Sequence, residues 1–167
     1  MGKIRRRPWQ YILFYHTKTQ QIMTAALNIL LIEDNEGDIL LTTEALYEHK
    51  IINQVMVIRD GKEAIDFFSN STRTIDAPLV VLLDINVPKV NGHEILSFIK
   101  NSPIYKNTPV IMLTTSSSPN DRMLCEKNNA QGYMTKPLDV PDFLREIHKT
   151  EGFWFDIVTV VPPVTGN

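Results

Sequence analysis

Leu79-Val80-Val81-Leu82-Leu83-Asp84 is the most apolar run in the chain, and it stops on a carboxylate. A short unbroken apolar run suits a strand buried on both faces, as a parallel sheet requires. Comparable runs lie on either side. Residues 29–32 end in Glu33-Asp34, residues 54–58 are closed by Asp60-Gly61, residues 110–113 end in Thr114-Thr115, and Tyr133-Met134 is ended by Lys136-Pro137. Between them the spacing predicts helices over 37–48 (Ile39, Leu40, Leu46 and Tyr47 on one face), 62–68 (Ala64, Ile65, Phe68) and 92–100 (Ile95, Leu96, Ile99). Ser118-Pro119-Asn120-Asp121 starts a helix running to about Asn129, with serine as N-cap, proline at the first helical position and an acid at the third. A last helix covers 138–149, with Phe143, Leu144 and Ile147 on its apolar face. Five strands alternating with five helices demand an α/β fold: a doubly wound, five-stranded parallel sheet with helices on both faces.

The 167 residues bear a net charge of −2, unevenly spread. Residues 1–22 hold five basic side chains and no acid, so the rest holds 12 basic and 19 acidic residues and a net charge of −7. An acidic domain is a poor match for DNA, which selects basic surfaces. The apolar stretch 11–15 is too short for a secretory core of about 7–15 residues or a membrane helix of about 20. The expectation is a soluble, cytoplasmic domain over 23–150, a basic extension over 1–22 that is disordered or foreign to the natural product, and an aromatic tail over 151–167. One cysteine, Cys125, excludes a disulfide framework and fits a packed thiol in a reducing compartment. His16, His49, His93 and His148 have no metal-ligand spacing and read as surface residues.

In an open α/β sheet the ligand site lies beyond the carboxyl ends of the strands. Here those ends supply Glu33, Asp34, Asp84, Thr114, Thr115 and Lys136. Carboxylates crowded together repel one another unless a cation joins them. Oxygen ligands without histidine or cysteine favour a hard ion, above all Mg²⁺, with Mn²⁺ as an alternative. The Lys136 ammonium suits a phosphoryl oxygen, Thr114 can donate to another, and Asp84 is a central carboxylate nucleophile. The set meets the needs of phosphoryl transfer, which are positioning and charge neutralisation. A flavin site would want a phosphate loop where Glu33-Asp34-Asn35-Glu36 stands, and a haloacid-type phosphatase would want an aspartate where Asn86 stands.

From about Asn28 to Thr150 the chain resembles the receiver domains of two-component response regulators. The matching pieces are 31–35 (Leu-Ile-Glu-Asp-Asn), 82–88 (Leu-Leu-Asp-Ile-Asn-Val-Pro), Asn91-Gly92, Leu113-Thr114-Thr115, and 132–137 (Gly-Tyr-Met-Thr-Lys-Pro). The resemblance implies the flavodoxin-like receiver fold and a role at each matching position. Asp84 would accept a phosphoryl group from the phosphohistidine of a sensor histidine kinase. Asp34, Asp84 and the main-chain carbonyl of Asn86 would bind Mg²⁺, with Glu33 acting through water. Thr114 and Lys136 would hold the phosphoryl oxygens, Tyr133 would be the rotating aromatic that reports on Thr114, and the bond before Pro137 would be cis. Thr115 stands where a small alanine is common, which would slow phosphoryl turnover.

The 17 residues after Thr150 are too few for an output domain, so the expectation is a single-domain regulator. It would be a phospho-acceptor that assists its own phosphoryl transfer and slow autodephosphorylation rather than an enzyme. The polar loop 69–78, the hydroxyl run 114–118 and the aromatic cluster 153–155 look most like the phytochrome-associated single-domain regulators. That narrower likeness implies a phytochrome-type kinase, a downstream phosphotransfer or effector protein, and a homodimer formed through the fourth helix, fifth strand and fifth helix. The alternative is a phosphorylation-independent protein-binding module on the same fold.

Overall fold

The computed structural model describes residues 27–49, 52–70, 79–115 and 118–149. The extension 1–22, loop residues 71–78, Ser116-Ser117 and the aromatic tail lie outside the described residues. Strands β1 (Leu27–Ile32), β2 (Ile52–Ile58), β3 (Leu79–Asp84), β4 (Val110–Thr114) and β5 (Gly132–Thr135) alternate with helices α1 (Glu36–Glu48), α2 (Gly61–Ser69), α3 (Gly92–Asn101), α4 (Pro119–Lys127) and α5 (Val140–His148). Every pairing is parallel, in the order β2-β1-β3-β4-β5. The strand order turns back on itself between β1 and β3, so a crevice opens where Glu33-Asp34 and Asp84 emerge.

Alternation along each strand divides the core in two. Ile29 and Leu31 of β1, Val80 and Leu82 of β3, and Ile111 and Leu113 of β4 meet Ile39, Leu46, Phe143 and Ile147 of α1 and α5. Leu30, Ile32, Val81, Leu83, Val110 and Met112 face the other way, onto α2, α3 and Cys125 of α4. The unbroken apolar runs of β1, β3 and β4 follow directly: with helices on both faces, residues 29–32, 79–83 and 110–113 are all buried.

Short polar side chains start every helix. Asn35, Asp60, Asn91, Ser118 and Asp139 each accept from the backbone N–H three residues on, satisfying a donor that the helix leaves unpaired. The ends correct the expected boundaries. α4 stops at Lys127 because Asn129 takes the left-handed conformation (φ 57°), which closes the helix. α5 starts at Val140 because Asp139 is its cap.

Two inward faces also differ. In α1, Ile39, Thr42 and Leu46 are buried, whereas Leu40 and Tyr47 stay exposed with Leu41. Residues 40 and 47 share a stripe that turns away from the sheet, since the inward stripe is set by 39, 42 and 46. In α2 the buried face is Ala64, Phe67 and Phe68, with Ile65 half-buried at its margin.

The β3–α3 loop is clamped by two close backbone approaches. Gly92 donates to Ile85 O at 2.9 Å, and a Cβ there would sit 2.4 Å from the carbonyl oxygen of Asp84. Gly61 donates to Pro88 O at 2.9 Å, and a Cβ there would sit 2.0 Å from Val90 O. Gly92→Ala is therefore expected to lower the unfolding free energy by about 1–3 kcal/mol, read by urea denaturation, because the loop beside Asp84 must shift to admit a methyl group.

Burial pushes the Cys125 thiol up to about 11, with the charges of Asp121 and Glu126 adding to the effect. At pH 8 only about one thiol in a thousand is then ionised. Iodoacetamide should leave Cys125 unmodified in the native protein over a time in which the urea-unfolded chain is fully alkylated, as read by mass spectrometry.

Candidate functional site

Each strand that ends in the crevice delivers one part of the site. β1 is continued by Glu33, whose N–H donates to Ile58 O at 2.9 Å and whose side chain turns back to accept from the N–H of Asn35 at 3.0 Å. Glu33 is 1% exposed, whereas Asp34 is open to solvent. Asp84 ends β3 and is 5% exposed. Carboxylate oxygens of Glu33, Asp34 and Asp84 lie within 4.8 Å of one another. Asn86 follows in the turn after β3, with an exposed side chain.

From the other side come β4 and β5. Thr114 ends β4, fully buried, and its carbonyl accepts from the N–H of Lys136 at 2.8 Å. That bond seats Lys136 at the end of β5, before the cis peptide to Pro137. The Lys136 side chain is 8% exposed, and Nζ donates to Glu33 Oε2, to Asp38 Oδ2 at 2.9 Å and lies 3.2 Å from Asp84 Oδ1. Thr115 is exposed and faces Lys136 across a cleft of about 220 Å³, which Leu41, Thr42 and Pro137 complete.

The electrostatics follow from this packing. Burial raises the Glu33 carboxyl above its usual value, and the hydrogen bond from Lys136 counteracts part of that rise. Burial by itself would lower the Lys136 ammonium. Its hydrogen bonds to Glu33 and Asp38 and the charge of Asp84 outweigh that, so its pKa stands well above the usual lysine value. A fixed, permanently charged ammonium thus faces the carboxylate group. The donor set is carboxylate oxygen without histidine or cysteine, which fits a hard divalent cation.

Tyr133, on β5, is half-buried and hydrogen-bonded through its hydroxyl to Thr114, while the Arg122 guanidinium lies 5.6 Å above its ring. The aromatic therefore links the buried Thr114 hydroxyl to the surface of α4.

Sequence reasoning named Glu33, Asp34, Asp84, Thr114, Lys136 and Tyr133, and the fold brings these together. It missed three participants. Asp38 reads in sequence as an ordinary first-turn acid complementing the helix dipole, and nothing local ties it to Lys136, 98 residues away. Arg122 carries no local signal. His93, expected at the surface, is partly buried instead, with Nε2 3.3 Å from Asp121 Oδ1, because α3 and α4 pack side by side there.

The chain matches the family model described as the response regulator receiver domain over residues 29–148. It is 35% identical over 138 residues to the response regulator Rcp1 of Synechocystis sp., covering 79% of this chain and 91% of that protein. Among solved structures it is similar to the phosphorylated cyanobacterial phytochrome response regulator RcpA, at 33% identity and a TM-score of 0.61, covering 78% of this chain and 95% of that one. It is also similar to the Mn²⁺-bound form of Rcp1, at 33% identity and a TM-score of 0.59, covering 81% and 98%.

Replacing Lys136 by methionine leaves Glu33, Asp38 and Asp84 without their shared cation. The expected loss of unfolding free energy is about 3–5 kcal/mol, measured by urea denaturation in EDTA.

Proposed function

This chain belongs to the response regulator receiver family, and from that premise we propose that it is a phosphoryl-accepting signalling switch whose acceptor is Asp84. The observation that carries this reading is a buried carboxylate at the end of the central strand, with an ammonium 3.2 Å away and two further carboxylates within 4.8 Å. The donor is the phosphohistidine of a sensor histidine kinase of the phytochrome type, a choice supported by the likeness to Rcp1 and RcpA.

Asp34, Asp84 and the Asn86 carbonyl would hold Mg²⁺, or Mn²⁺ in its place, with Glu33 acting through water. When bound, the ion supplies positive charge that offsets the phosphoryl oxygens and the carboxylates. An Asp84 oxygen attacks phosphorus as the donor P–N bond breaks. The bonding pair stays on the imidazole, which takes a proton from water. Lys136 holds one phosphoryl oxygen and Thr114 donates to another. Thr115, exposed on the cleft beside Lys136, narrows the approach of a hydrolytic water and lengthens the lifetime of the phosphorylated form.

Movement of the Thr114 hydroxyl toward the phosphoryl group breaks its bond to Tyr133 and frees the ring beneath Arg122, so the α4–β5–α5 face changes shape. A groove of about 560 Å³ lies on that face, lined by Arg122, Tyr133, Asp139, Asp142, Arg145 and Glu146. We take this face to meet a downstream phosphotransfer or effector protein, or a second copy of the chain. We place its action in the cytoplasm, through protein contacts; no described helix is long and apolar enough to cross a membrane. The complete acceptor set argues against a binding module that works without phosphorylation.

Acetyl phosphate with Mg²⁺ should add one phosphoryl group, seen as a mass increase and by Phos-tag mobility. The label should vanish in EDTA and in Asp84→Asn; labelling that persists in Asp84→Asn would sink the proposal.

A further inference from the structure

An ammonium has three protons to donate and no more. At Lys136 all three face carboxylates: Glu33 from the end of β1, Asp84 from the end of β3, and Asp38 from the first turn of α1. Two of these partners have another task. Glu33 and Asp84 belong to the carboxylate group within 4.8 Å that suits a cation, and Asp38 does not. When Glu33 and Asp84 are engaged by a divalent ion and a phosphoryl group, Asp38 is the carboxylate left to hold Nζ.

Its setting matches that task. The Asp38 N–H donates to Asn35 Oδ1 at 3.0 Å, which ties the residue to the capped start of α1. Its carboxylate reaches Nζ at 2.9 Å from the α1 side. Beside it opens the cleft formed by Leu41, Thr42, Thr115 and Pro137, the space into which a released lysine chain would swing. Lysine is a flexible four-carbon stem carrying a point charge, so its aim depends on a second anchor.

We infer that Asp38 is a positioning residue for phosphoryl transfer at Asp84, holding the Lys136 ammonium in line with the acceptor oxygen. The inference rests on the phosphoacceptor reading and extends it to a residue outside the metal and phosphoryl contacts. Placement needs an acceptor atom and no particular charge. An asparagine can supply that atom, and an alanine cannot.

The test uses the full chain with acetyl phosphate and Mg²⁺, and separately beryllofluoride with Mg²⁺. Alanine suits a first-turn helical position, and far-UV circular dichroism checks that the fold is kept. Asp38→Ala should take up phosphate at least about tenfold more slowly than the wild type, and Asp38→Asn should stay within about threefold of it. The ¹⁹F spectrum of the beryllofluoride adduct should shift or broaden for the fluorine nearest the ammonium in Asp38→Ala and return in Asp38→Asn. A purely structural role would move neither readout at temperatures where all three proteins are folded. Asp38→Ala labelling at the wild-type rate with an unchanged fluorine spectrum overturns the inference alone. So does Asp38→Asn as slow as Asp38→Ala, which would trace the effect to charge rather than placement. A wild type that takes up no phosphate overturns the phosphoacceptor reading, and the inference falls with it.

Discussion

Carboxylates at the ends of two neighbouring strands cannot be packed together without a cation, and Lys136 is the cation that this fold supplies. Its ammonium is buried against Glu33, Asp38 and Asp84, and its backbone is bonded to the end of β4. One side chain thereby joins β1, α1, β3 and β5 at the crevice. The rest of the site depends on that joint: Glu33 and Asp84 can both be buried beside it, and Asp34 is left open to solvent. The same interaction stabilises the fold and fixes a positive charge at the mouth of the crevice, where the proposed phosphoryl transfer would need it.

A second constraint holds the strand that ends in Asp84. The loop after β3 is held by backbone packed on backbone at Gly61 and Gly92, with no room for a side chain at either point. Lys89, left-handed at φ 70°, is paired with Asp60 at 2.6 Å on the exposed side of the same clamp. The turn carrying Asn86 is thus set from both flanks, one by α2 and one by α3. α4 contrasts with this: among its described residues only Cys125 is buried, and side-chain contacts from Asp121 to His93 and from Arg122 to Tyr133 tie it to its neighbours. A closely packed loop beside a lightly held helix would suit the switch proposed above.

Much of this was legible in the linear chain, and for identifiable reasons. Strands buried on both faces must be continuous apolar runs, so the runs ending at Ile32, Leu83 and Leu113 announce themselves. Chemistry in such a sheet gathers at the carboxyl ends, so the residues that follow those runs are candidates by position alone. Caps are local too, and Ser118-Pro119 was readable as a helix start for that reason. α1 was harder: its apolar residues go round the helix, and Thr42 is buried while Leu40, Leu41 and Tyr47 are exposed, so spacing could not choose the face.

Residue order alone was enough for the layers, the strand ends and the placing of Glu33, Asp34, Asp84, Thr114 and Lys136 at those ends, because each depends on residue type and near neighbours. Tertiary structure alone decided that Asp38 holds Lys136, that Arg122 lies over Tyr133 and that His93 meets Asp121. Those pairs are 98, 11 and 28 residues apart. A contact between side chains on different elements is set by how helices pack on the sheet, and no local pattern encodes that angle.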